Sequence, residues 1–218
     1  MGIRQLRRRM QQQREAARRR FRRQKNANLL AKPGHHAFAI VLDHLKPAFN
    51  IGKIFRSADA FGAREVHLVG IDFFDPSPSM GSFKWVPARF FDAFSDSHEN
   101  LSSRGYVLYA LDPAGNLPLP DIRLPRKSAF IFGHEEYGHS FDRSAYPGVT
   151  PVTIPQLGKV ESLNVSVAAS IVMYEYWRQH RDPRAAPRRP CYRHRDVRST
   201  HRPEAPHSDE ARHGNAPD

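Results

Sequence analysis

Short apolar runs recur through the middle of the chain, each closed by Gly, Pro or a polar cluster. The runs 37–42, 65–69, 106–110, 128–132 and 151–154 read as strands. Most are near-continuous rather than alternating, which is the pattern of strands covered on both faces. Between them the apolar period lengthens. Ile51, Ile54, Phe55 and Ala58 fall on one face of a helix over 51–61, and Gly62 ends it. A polar helix over 95–104 stops at Gly105, and 72–82 is a loop rich in Pro and Ser. The longest helix is expected over 164–179, with Val165, Ala168, Ala169, Val172 and Tyr176 at helical spacing. Strands alternating with helices predict an α/β fold with a mostly parallel sheet covered by helices.

Charge divides the chain into three parts. Residues 1–32 hold 12 Lys and Arg against the single acid Glu15, a net of +11. Residues 33–177 carry a net of −3 and residues 178–218 a net of +4, so the overall +12 resides in two flanks around a slightly acidic body. The flank 1–32 is expected to be a basic helical arm that binds RNA, since no Pro or Gly interrupts 3–32. Ile3, Leu6, Met10 and Ala17 make a thin apolar stripe for light docking, and crowded Arg side chains repel one another unless a polyanion neutralises them. A catalytic body over 33–181 follows. The tail 182–218 mixes Pro, Arg, His and acids and is expected to be disordered.

Several classes are excluded. Cys191 is the only cysteine, so there is no internal disulfide and no cysteine-based zinc site, and a cytoplasmic setting is expected. The longest apolar stretch, 165–174, is interrupted by Ser166 and Ser170 and is too short to span a membrane. No apolar segment follows the charged start, so a secretory signal is not expected. Dinucleotide, P-loop and serine-hydrolase signatures are missing.

Candidate chemistry concentrates in three turns at strand ends. In the first, Asn50 stands where it could cap the helix, and Arg56 follows beside Phe55, Ala58 and Phe61, where an arginine needs a partner or a task. The second, Gly133-His134-Glu135-Glu136-Tyr137-Gly138-His139, follows an apolar strand directly. Its glycines let backbone approach a ligand at the carboxyl edge of the sheet. Its two histidines lack the spacing of a helical zinc motif, and no metal is expected. The third runs from Ile154 through Gly158 to Ser162, Leu163 and Asn164, where either Ser162 or Asn164 could cap the long helix.

In order and spacing these segments resemble the three motifs of the SPOUT superfamily, specifically the SpoU/TrmH family of RNA ribose 2′-O-methyltransferases. Asn50, Gly52, Arg56, Phe61 and Gly62 resemble motif 1. Gly133, His134, Glu135 and Gly138 resemble motif 2. Motif 3 is the most specific: Ile154, Pro155, Gly158, the run Ser162-Leu163-Asn164-Val165-Ser166-Val167-Ala168, then Tyr174 and Glu175. The likeness covers about residues 37–179. The segment 81–86 (GSFKWV) is similar to one in the tRNA D-loop guanosine enzymes. His134 and Gln156 depart from the pattern, standing where Asn or Gln and Met are commoner.

The resemblance implies a deep C-terminal trefoil knot, S-adenosyl-L-methionine as cofactor, and a homodimer whose interface completes each active site. It implies that Ala110, Leu111, Gly133, Ile154 and Leu163 hold the adenosyl group. It casts Asn50, Arg56, Glu135, Ser162 and Asn164 as the catalytic set. A guanidinium stays protonated, so Arg56 is expected to orient phosphate and stabilise a developing alkoxide. Glu135, Ser162 and Asn164 complete the pocket by hydrogen bonding, with Glu135 an alternative proton acceptor. The expected substrate is a tRNA D-loop guanosine. The alternatives are rRNA methylation by the same chemistry and a non-catalytic RNA-binding protein that kept the fold.

Overall fold

The computed structural model describes residues 3–181. The tail over 182–218, with Cys191 and the disorder expected there, lies outside the described residues. Four helices and seven strands follow in the order α1 (Ile3–Asn28), β1 (Ala39–Asp43), α2 (Phe49–Ala60), β2 (Glu65–Val69), β3 (Ala88–Phe91), α3 (Phe94–Ser102), β4 (Val107–Leu111), β5 (Leu117–Pro118), β6 (Ser128–Phe132), β7 (Val149–Thr153) and α4 (Val165–His180).

All seven strands lie in one sheet, ordered β3-β2-β1-β6-β4-β7-β5, and every pairing is parallel. β1, β2 and β6 are buried along their whole length, as near-continuous apolar runs require. Successive side chains point to opposite faces and feed two cores. Ile40 and Leu42 join Phe55, Phe130, Phe132, Val172 and Tyr176 under α2 and α4. Ala39 and Val41 join Leu108, Ile131, Phe94 and Leu101 under α3.

The strands expected over 65–69 and 128–132 stand as expected, the other boundaries shift by one to two residues, and two strands carry no sequence signal. β3 is only half-buried and β5 is two residues long, so neither shows an apolar run. The arm also differs. Its docked face is Ala17, Phe21, Gln24 and Asn28, spaced by four, three and four, whereas Leu6 and Met10 are exposed. Phe21 is 6% exposed and packs edge-on to Phe73 and Phe74 and parallel to Phe83. The Asn28 side chain donates to Phe83 O and Val86 O (2.5 and 2.7 Å) and accepts from Ala88 N (3.0 Å), which ties α1 to the edge where β3 begins. The face of Ala17, Phe21, Gln24 and Asn28, rather than the expected stripe, therefore holds the second half of α1 to the body, and the first half presents Arg to solvent.

Candidate functional site

The loops that leave the carboxyl ends of β4, β6 and β7 enclose a cavity of about 690 Å3. Open parallel sheets bind ligands at this edge, and the size lies within the roughly 300–1,000 Å3 usual for small-molecule sites. Leu111, Gly133, Glu135, Ile154, Ser162, Leu163 and Asn164 line it, which brings seven of the ten expected residues together. Ala110 does not join them. Side chains alternate along β4, so Ala110 packs into the core beneath α3 while Leu111 faces the cavity.

Asn50 is not the cap of α2. That place falls to Ala48, which makes no side-chain cap bond, and Asn50 is fully buried in the first turn. Its Nδ2 donates to Glu135 Oε1 at 2.6 Å, and its Oδ1 accepts from Asn164 Nδ2 at 3.4 Å. Asn164 also caps α4, since its Oδ1 accepts from Ser166 N (2.9 Å) and Ser166 Oγ (2.6 Å). One hydrogen-bonded chain thus joins motifs 1, 2 and 3, and two of its three members face the cavity.

Arg56 stands apart. It is exposed on α2, has no hydrogen bond or ion pair among the described residues, and does not line the cavity. Six residues separate it from Asn50, about one and two-thirds turns, so the two side chains leave α2 in different directions. The neighbouring Ser57 meets Ser170 of α4 at 2.8 Å, which places Arg56 beside that helix.

The motif 2 loop is a tight turn closed by backbone bonds between His134 and Gly138 (2.7 and 2.9 Å). His134 Nδ1 accepts from the backbone N–H of Glu136 and of Tyr137 (3.0 and 3.3 Å), which fixes the turn that presents Glu135. A Cβ at Gly133 would come within 2.4 Å of Gly138 O, so the turn itself demands this glycine. Asp43, which belongs to none of the three motifs, is buried at the end of β1. It accepts from Ser140 N and Ser140 Oγ (both 2.7 Å), anchoring the loop beyond the turn. A lone acid after an apolar run gives no local signal of such a partner, so the sequence alone does not mark it. His139 Nε2 donates to Leu111 O at 3.2 Å, and burial holds its pKa below the usual histidine value.

The cavity fits a donor-bearing nucleoside. Two buried polar atoms of lining residues, Gln156 Oε1 and His139 Nδ1, have no hydrogen-bond partner among the described residues. Asp112 and Arg143 pair at 2.8 Å at the rim. A second depression of about 540 Å3 shares His134, Gly138 and His139 with the first and adds Lys46, Phe73 and Tyr137, with Tyr137 76% exposed.

A parallel α/β sheet with a nucleoside-sized cavity at its carboxyl edge, where Asn50 of α2 bonds both Glu135 of the β6 loop and Asn164 of the β7 loop, defines a class that binds a nucleoside-type ligand. The SpoU rRNA Methylase family matches residues 37–174, and the chain belongs to that family. It is 34% identical over 147 residues to a tRNA (guanosine(18)-2'-O)-methyltransferase of Thermus thermophilus, an alignment covering 64% of this chain and 74% of that protein. The fold matches the A. aeolicus TrmH/SpoU tRNA modifying enzyme with a TM-score of 0.61 at 24% identity, covering 72% of this chain and 82% of that one. It also matches the SpoU methyltransferase AviRb of Streptomyces viridochromogenes, determined in complex with AdoMet. There the TM-score is 0.60 at 29% identity, with 67% and 59% of the two chains covered.

Proposed function

We propose that the protein is an S-adenosyl-L-methionine-dependent RNA ribose 2′-O-methyltransferase acting on the guanosine at position 18 of the tRNA D-loop, the nucleotide named for the Thermus relative. The observation that carries this reading is the Glu135–Asn50–Asn164 chain, whose two end members line the cavity. Leu111, Gly133, Ile154 and Leu163 would hold the adenosyl group. When bound, the cofactor supplies an electrophilic methyl on a sulfonium.

A 2′-hydroxyl is a weak nucleophile near neutral pH, so placement and proton removal dominate the task. Asn50 occupies Glu135 Oε1 and orients the carboxylate. The other carboxylate oxygen would accept a hydrogen bond from the ribose 2′-hydroxyl and take up its proton as the methyl passes to the oxygen, the electron pair of the broken C–S bond staying on the departing thioether. Ser162 and Asn164 border the same cavity and position the ribose by hydrogen bonding. Arg56 serves the neighbouring subunit's site, orienting phosphate and stabilising the alkoxide.

The reading includes a homodimer. Val167, Ile171 and Tyr174 lie four and three residues apart on α4 and leave an exposed apolar stripe, with Leu157 and Val160 exposed nearby in the chain. A self-complementary patch of this kind suits a two-fold interface, and it would bring Arg56 toward the partner. A deep trefoil knot and a cytoplasmic location complete the proposal and rest on family membership. Arg4, Arg7, Arg8 and Arg14 on the exposed half of α1, with Lys46 by the second depression, would grip RNA phosphates. Tyr137 offers a ring for base stacking.

rRNA methylation is the second reading, favoured by the description of the matching family. A non-catalytic RNA binder would have no use for all five catalytic candidates, and all five are present. Bulk tRNA and rRNA are incubated with labelled cofactor and the modified ribose is mapped. A 2′-O-methylguanosine in the D-loop is expected. Label confined to rRNA selects the second reading, and a base methyl or no transfer overturns the proposal.

A further inference from the structure

We infer that Gln156 selects the cofactor by accepting a hydrogen bond from a donor on its adenosyl group, with His139 Nδ1 as a second acceptor in the same cavity. The inference rests on reading the cavity as the S-adenosyl-L-methionine site.

Gln156 lies in the loop after β7, and its Oε1 is buried with no donor among the described residues. His139 reaches the same condition by tautomer. Leu111 O can only accept, so the His139 Nε2 facing it at 3.2 Å carries the proton. Burial is the largest influence on this ring and lowers its pKa, so it is neutral near pH 7, and Nδ1 is left with a buried, unshared lone pair. A polar atom buried without a partner is costly, and folded proteins rarely keep one without cause. Two unmet acceptors on residues that line one cavity call for a ligand that brings donors, reached by a small turn of each side chain. An adenosyl group has three: the exocyclic amine and two ribose hydroxyls. An apolar ligand, or one presenting only acceptors, would leave both atoms unmet.

The test is calorimetry on the full chain with S-adenosylhomocysteine, its inosyl analogue in which oxygen replaces the amine, and its 2′-deoxy and 3′-deoxy analogues. The wild type is expected to bind at least one analogue about tenfold more weakly than the parent, and the analogue that suffers identifies the donor read. Gln156→Met, similar in length and without an acceptor, should weaken the parent by about tenfold or more and bind that analogue no worse than the parent. Gln156→Glu keeps an acceptor and should keep the discrimination.

Thermal melting of the ligand-free protein separates this role from a structural one. Gln156→Met removes an unmet acceptor, so the free protein should melt at the same temperature or higher. A Met variant that binds the parent within twofold, or that keeps the wild-type ratios for every analogue, overturns the inference. A wild type that binds none of the four ligands overturns the reading of the cavity instead.

Discussion

Arg56 is the residue on which the proposed assembly can be tested most sharply. It is exposed, bonded to nothing among the described residues, and outside the cavity of its own chain. Arg56→Ala should therefore change stability by less than about 0.5 kcal/mol, as surface substitutions away from special features do. Cofactor affinity should stay within about twofold, because the cavity lining is untouched. Turnover should fall by about 10²–10³, the usual cost of losing one donor to a developing oxyanion. Arg56→Lys should not restore it, since lysine lacks the planar two-pronged fork that fits a phosphate. The complementary defect is Leu163→Glu, which places a carboxylate in the lining at the start of α4 and should abolish cofactor binding. Each parent homodimer is then inactive for a different reason. When equal amounts exchange subunits at random, half the dimers are mixed. In each of these, one site combines an intact Arg56 from one chain with an intact cavity from the other. Activity should return to about a quarter of wild type per subunit. The assay is methyl transfer to tRNA before and after exchange, with exchange followed by native mass spectrometry. If mixed dimers form and activity stays at the parental level, each site is built within one chain and the assignment of Arg56 across the interface is wrong.

Removing residues 1–14 takes away Arg4, Arg7, Arg8, Arg9 and Arg14 but none of the docked face, which starts at Ala17. The melting temperature should hold, while the slope of log K for RNA against log salt flattens by about 0.7–0.9 for each phosphate the arm no longer neutralises; an unchanged slope removes the arm from RNA binding. Phe21→Ala is the contrast, expected to cost about 3–5 kcal/mol in denaturant unfolding because it empties an aromatic cluster. Acid stability should report on Glu65, buried at the start of β2. Burial alone would raise its pKa, but His67, Arg104 and Arg89 outweigh it and hold the group down to about 2. Burial leaves His67 itself below its usual pKa, so the two arginines, with Arg89 Nε at 2.7 Å, are the lasting partners. A depressed carboxylate stabilises the fold fully above its unfolded pKa near 4.5 and loses that contribution as pH falls toward about 2, a span of about 3 kcal/mol. Glu65→Gln should flatten unfolding free energy against pH across that window, and parallel curves for the two proteins would sink the assignment.

The parts of this molecule that the sequence announces are those whose cause is local. A run such as Ala39–Asp43 is a buried strand because both of its faces are covered, and Gly62 ends α2 because its φ of +68° suits glycine. β3 and β5 escape because edge strands are held by backbone pairing with a neighbour and need no apolar signature. The arm is legible as a helix, but its docked face is not, since Asn28 becomes intelligible only beside the carbonyls of Phe83 and Val86. The site sharpens the same distinction. From the sequence, Asn164 could be a helix cap or a functional residue, as if these were rivals. Its two amide atoms divide the work: Oδ1 accepts from Ser166 to start α4, and Nδ2 reaches Asn50. Asn50 lies inside the first turn, two residues past the uncapped start at Ala48, and holds Glu135. A cap is a contact between near neighbours and can be read from spacing. The bonds from Asn50 to Glu135 and Asn164 span 85 and 114 residues, and only the strand order brings their ends together. The fold therefore contributes to the chemistry by turning a residue that spacing marks as a cap into the support of a carboxylate.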